Sequence, residues 1–188
     1  MKRIFTLTAL LCLFMMMGIN AAVAQSKTAT FDLSDKTNLD DKGNYNVAAT
    51  AATPVAVSIP KTDNSFNDRD HGWQLRASGV TFYITLSEGY VIESITTTSD
   101  GSKNMSSNAT FNVASGSTSL GNSANITKDG DATWNNSSKN PARDLTMTFQ
   151  NLFEDENTTY LNIKTLTVTY KATTTTTIKS SSEMTTST

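Results

Sequence analysis

Few side chains in this chain have the chemistry for catalysis. There is one histidine, His71, and one cysteine, Cys12. His71 sits in the polar run Asn67-Asp68-Arg69-Asp70-His71-Gly72. A Ser-His-Asp triad would have to use it, and no sequence near it reads as a nucleophile elbow. A zinc site would need further His or Cys ligands that the chain does not supply. His71 therefore reads as a polar loop residue. Glycoside hydrolysis needs two carboxylates facing each other about 5–9 Å apart. Of the glutamates, Glu88 falls in a turn and Glu154 and Glu156 fall in a solvated loop. Glu93 stands where a β-bulge can re-aim its side chain into a groove. Taken together, these residues read as a non-catalytic protein.

Binding chemistry is better supplied. Calcium takes about six to eight oxygen ligands, and three acidic stretches offer them: 35–44, 63–70 and 129–131. Asp63, Asp68 and Asp70 form the candidate ligand set for a structural calcium, and no other cofactor is expected. Asx turns explain the same residues without a metal. Sugars need flat aromatic faces for their C–H surfaces, with amides and charges for their hydroxyls. Trp134, beside Asn135 in the polar stretch 128–140, is the first candidate platform. Tyr83 points away from Phe82 and Ile84 along its strand, and Arg76 shares the polar phase of its own strand. The expected ligand site is therefore Trp134, Asn135, Arg76 and Tyr83. Trp73 begins a regular strand and reads as core.

The ends of the chain differ from its middle. Lys2 and Arg3 precede a nearly continuous apolar run from Ile4 to Ile19, and Ala22-Val23-Ala24 makes a small-x-small cleavage site before Gln25. This is the pattern of a secretory signal peptide over residues 1–24. Its cleavage removes Cys12, leaving a domain without disulfides that its core alone must hold together. The cysteine-free design fits bacterial export, and the expected location is extracellular, cell-surface or periplasmic. No further apolar run is long enough to span a membrane. Residues 172–188 are mostly threonine and serine with little to bury, the composition of a disordered tail. The net charge is −2 and the basic residues are scattered singly, which disfavours nucleic acid as a partner.

Between the ends, Gln25 to Lys171 shows period-2 alternation broken by Asn, Asp, Gly and Ser clusters. That predicts an all-β, antiparallel, jelly-roll-like sandwich of eight to ten strands. Val80, Phe82, Ile84 and Leu86 alternate with Thr81, Tyr83 and Thr85, and after Ser87-Glu88-Gly89 the chain returns from Tyr90, so Gly79 to Asp100 reads as a hairpin. Val55 to Ile59, flanked by Pro54 and Pro60, reads as an edge strand. Two stretches share a peculiarity: the apolar phase slips by one residue between Ile92 and Ile95, and again between Ile163 and Leu166. A strand kept in strict alternation would turn its second half to solvent. Bulges at Glu93-Ser94 and Lys164-Thr165 restore the phase.

The order of these elements carries a resemblance. A tryptophan strand at Trp73 precedes the aromatic strand with Phe82 and Tyr83. Gly89-Tyr90-Val91-Ile92-Glu93-Ser94-Ile95 follows, then the strand of Phe111 and the loop of Trp134. Ile163-Lys164-Thr165-Leu166-Thr167-Val168-Thr169-Tyr170 closes the domain. From Gly72 to Lys171 this resembles galactose-binding-like jelly-roll modules of secreted and surface bacterial proteins. The resemblance implies a carbohydrate-binding module with a glycan or a cell-surface protein as partner. Fold does not decide function, and a structural or adhesive spacer without a small ligand is the alternative.

Overall fold

The structure, a computed structural model, describes residues 24–101, 105–154 and 160–173. Residues 1–23 of the expected signal peptide and residues 174–188 of the expected tail lie outside the described residues. Among the described residues there are twelve strands: β1 Lys27–Asp32, β2 Tyr45–Val47, β3 Val55–Ile59, β4 Ser65–Asn67, β5 Trp73–Leu75, β6 Thr81–Leu86, β7 Tyr90–Gly101, β8 Thr110–Ser115, β9 Thr118–Asn122, β10 Asp129–Asn135, β11 Asp144–Gln150 and β12 Leu161–Ala172. They form two antiparallel six-stranded sheets. The first runs β10-β7-β12-β5-β4, with β1 also on β12; the second runs β2-β3-β6-β11-β8-β9. The fold is the antiparallel β-sandwich that the alternation predicts. The strand count exceeds eight to ten because short strands such as β4 carry too few residues to display a period.

Alternation builds the core. Val55, Val57 and Ile59 of β3, Phe82, Ile84 and Leu86 of β6, and Leu145, Met147 and Phe149 of β11 are buried from the second sheet. Ile92, Ile95, Leu166 and Val168 are buried from the first. Each such side chain contributes about 1.5–3 kcal/mol by leaving water. Phe149 sits edge-on to Phe82 at 5.0 Å and to Phe111 at 6.0 Å, the favoured geometry for aromatic pairs. Trp73 is fully buried, and its indole N–H donates to the buried Ser65 hydroxyl at 2.6 Å.

Two expectations about pairing are corrected. Gly79 to Asp100 is not a hairpin. β6 pairs with β3 and β11 in one sheet, while β7 pairs with β10 and β12 in the other. The Ser87-Glu88-Gly89 turn carries the chain across the sandwich, so β6 and β7 meet through their apolar faces and not through a ladder. Two hydrogen bonds tie this corner down: Ser87 N–H to the Pro54 carbonyl at 2.8 Å, and Thr173 N–H to the Gly89 carbonyl at 2.7 Å. Nor is β3 an edge strand. The three-residue β2 pairs along its outer side.

The centre of the first sheet is the pair β7–β12. Both strands are 12 residues long, and each bulges at its fourth residue. The register steps from Ile163↔Ser99 to Thr165↔Thr98, leaving Lys164 unpaired, and from Thr169↔Ser94 to Tyr170↔Ile92, leaving Glu93 unpaired. Both bulges fall where the apolar phase slips in the sequence. The two ends mirror each other in charge. The Glu93 carboxylate meets the Lys171 ammonium at 2.6 Å, and Lys164 meets Asp100 at 3.2 Å. Each bulge also frees a carbonyl from the ladder for an outside donor. Asn136 N–H donates to Glu93 at 2.8 Å, and Leu33 N–H donates to Lys164 at 2.9 Å.

Candidate functional site

The outer face of the second sheet centres on Tyr83. On β6, Thr81, Tyr83 and Thr85 point outward while Phe82, Ile84 and Leu86 fill the core. Tyr83 is 46% exposed, with Ser58 of β3 and Thr146 of β11 across from it. It separates two depressions. One, of about 380 Å³, is lined by residues that include Pro60, Thr62, Asn64, Ser78 and Thr81. The other, of about 240 Å³, is lined by Asn46, Ala56, Ser58 and Thr85 among others. The Tyr83 phenol is the sole ionisable side chain in either lining. Neighbours brace the polar groups: Ser58 donates to the Asn46 amide oxygen at 2.7 Å, and the Thr81 and Thr148 hydroxyls meet at 2.9 Å. The result is one exposed aromatic among fixed, uncharged amides and hydroxyls.

Arg76 lies close by. The segment after β5 crosses to the second sheet, and Gly79 anchors it by donating its N–H to the Phe149 carbonyl at 2.7 Å. Arg76 Nε donates to Gln74 Oε1 at 2.8 Å, and its guanidinium stands 4.8 Å from the Phe66 ring centre. It lines a third depression of about 410 Å³, which shares Asn64, Ala77 and Ser78 with the larger Tyr83 depression. Arg76 and Tyr83 are thus brought to neighbouring pockets.

Trp134 and Asn135 are not. They end β10, at the edge of the first sheet opposite β4. Trp134 is 2% exposed, so its ring cannot serve as a stacking platform for sugar. Within the polar stretch 128–140, residues Asp129–Asn135 form a full strand, β10. Ala132 and Trp134 point inward while Asp131, Thr133 and Asn135 point outward. The indole N–H donates to the Leu120 carbonyl at 3.3 Å. Asn135 is exposed beside Ser94 of β7.

The candidate calcium ligands are separated as well. Among the described residues, no three His, Cys, Asp or Glu side chains gather into a group fit for a metal. Asp68 accepts from Gln74 Nε2 at 2.9 Å, Asp70 lies 3.9 Å from the Lys36 ammonium, and Asp63 is exposed in a turn. The stretch 35–44 shows what such aspartates do here. One Asp40 oxygen accepts the Lys42 and Asn44 backbone N–H groups, each at 2.9 Å, and the other accepts the Asn44 side-chain amide at 2.8 Å. Hydrogen bonds from Asn44, side chain first, hold the Asp40 carboxyl below its usual range. This is Asx-turn chemistry. His71 is exposed and ends a 3-10 turn over Arg69–His71.

The bulge at Glu93 makes one more pocket. It holds about 190 Å³ and is lined by Val91, Ile92, Glu93, Asn136, Lys139 and Lys171. Lys171, and after it the Ser26 hydroxyl, hold the Glu93 carboxyl below its usual range, so it is a carboxylate at neutral pH. Glu93 is the single carboxylate of this lining, whereas glycoside hydrolysis uses two. The phase slip in the sequence points to Glu93. Asn136 and Lys139 join it only through the fold of the loop after β10, and nothing in their spacing signals that.

No protein-family model matches the chain, and a search of curated proteins finds no match for it.

Proposed function

We propose that this protein is a secreted, non-catalytic carbohydrate-binding module whose platform is the Tyr83 face of the second sheet. The observation that carries the reading is the exposed Tyr83 ring between two depressions whose linings are amides, hydroxyls and apolar groups without charge. A pyranose presents an apolar C–H face and a rim of neutral hydroxyls. The ring supplies the apolar contact. Asn46, Asn64, Ser58 and Thr81 supply donors and acceptors for the rim. Arg76, in the adjoining depression, extends the polar surface to a second sugar unit. Secretion rests on the leader-type sequence of residues 1–24. The galactose-binding-like jelly-roll resemblance adds to the reading, and it is carried by strand order alone.

Isothermal titration of the purified protein with a panel of neutral oligosaccharides tests this. Binding of at least one member is expected. Tyr83→Ala should weaken that binding at least tenfold, about 1.4 kcal/mol, and Tyr83→Phe should retain most of it. Binding unchanged in Tyr83→Ala would remove this site. No binding across the panel would favour the structural or adhesive spacer.

A further inference from the structure

The two bulges of the β7–β12 pair share their geometry but not their surroundings. The chain itself fills the space against the Lys164 bulge. Gly72 comes so close that a Cβ there would lie 2.4 Å from the Ile163 carbonyl oxygen. Gln74 and Asn162 are buried nearby and hydrogen-bond each other at 3.3 Å. Against the Glu93 bulge the chain leaves a pocket of about 190 Å³.

That pocket is rigidly built. The Asn136 side chain braces its wall: Nδ2 donates to the Ile92 carbonyl at 2.8 Å and the Asn140 carbonyl at 2.9 Å, and Oδ1 accepts from Asn140 N–H at 2.9 Å. Lys139 sits in the same loop at φ 52°, a left-handed conformation that disfavours any residue with a side chain. Its ammonium has no hydrogen-bond or ion-pair partner among the described residues. Lys171 gives one of its three donors to Glu93. Two ammonium groups and one carboxylate leave the lining with a surplus of positive charge and of donors. Val91 and Ile92 give it an apolar side.

We propose that this pocket is an anion subsite that takes the carboxylate of a uronic acid residue between Lys139 and Lys171. Glu93 accepts a hydroxyl of the same sugar, and Val91 and Ile92 meet its C–H face. The assignment rests on the carbohydrate reading above and extends it from neutral to acidic glycans.

The test is titration of the purified protein with oligogalacturonate and with the same oligomer fully methyl-esterified. The ester keeps the sugar and removes the charge. The acid should bind at least tenfold more tightly than the ester. Lys139→Gly should abolish that preference without lowering thermal stability, because glycine suits a positive φ. Lys139→Arg should retain it. Equal binding of acid and ester, binding of neither, or a preference that survives Lys139→Gly would overturn the assignment. Tyr83→Ala separates the two readings. If neutral glycans bind through Tyr83 and the acid gains nothing, the subsite alone fails. If the acid preference stands while neutral glycans do not bind, the Tyr83 platform alone fails.

Discussion

The outer faces of the two sheets follow one alternation rule and end in different chemistry. On the first sheet, Thr133, Thr96, Thr167 and Thr30 stand in one row across β10, β7, β12 and β1. Their hydroxyls pair across strands, at 2.9 Å for Thr96–Thr133 and 3.1 Å for Thr30–Thr167. The next row carries Thr98 bonded to Asp131 at 2.6 Å, and the ion pairs of the two bulges lie at either end. Such cross-strand pairs each stabilise a sheet by roughly 0.2–1 kcal/mol. The outer face of the second sheet instead sets an exposed tyrosine among uncharged depressions. The core needs only the inward residues, so the outward ones are free to differ. The first sheet uses them mainly to hold strands together and presents charge at its bulges; the second presents a contoured surface whose two depressions are lined without charge, with the exposed Asp144 carboxylate opposite Thr85.

The largest effect that sharpens this contrast is expected at Trp134. If it belongs to the core and not to a binding face, Trp134→Ala should cost about 3–5 kcal/mol in urea unfolding. Trp134→Phe should cost less and leave glycan affinity unchanged. Next comes the sealed bulge. Gly72→Ala should destabilise by about 3 kcal/mol, because its Cβ would meet backbone and its φ is 96°. Gly89→Ala, with φ 84° and nothing within 4 Å, should lose only about 1–2 kcal/mol. Equal losses at the two glycines would contradict the packing described for the Lys164 bulge.

The smallest effect is at the Glu93–Lys171 pair. Glu93 has a depressed pKa in the folded protein. Its contribution is therefore present above the unfolded value of about 4.3, and it is lost as pH falls through the lower folded value. Glu93→Gln should cost under about 1 kcal/mol at neutral pH. It should also flatten the acid limb of a melting-temperature profile. A variant with the same acid limb as the parent would show the pair to be energetically silent.

Alternation makes the β class and most strands legible from sequence, and a one-residue slip in that alternation marks both bulges. Each is a local signal, since a strand must keep its apolar side on the core. Trp134 is misread because its polar neighbours resemble a loop. The alternation of Ala132 and Trp134 against Thr133 and Asn135 is present but spans only a few residues. The turn after Leu86 looks the same whether the chain returns in its own sheet or crosses the sandwich, so the partners of β6 and β7 are not legible. Asn136 and Lys139 meet Glu93 across more than 40 residues of chain, through a loop held by an asparagine side chain. Spacing along the sequence carries no trace of such a meeting.

The most direct test of the central claim is amide chemical-shift mapping of the isotope-labelled protein. The titrant is the neutral oligosaccharide that binds most tightly in the panel. A Tyr83 platform predicts shifts at Ser58, Thr81, Tyr83 and Thr85, with the rows of threonine on β7, β12 and β1 unmoved. Shifts confined to those threonine rows would contradict it.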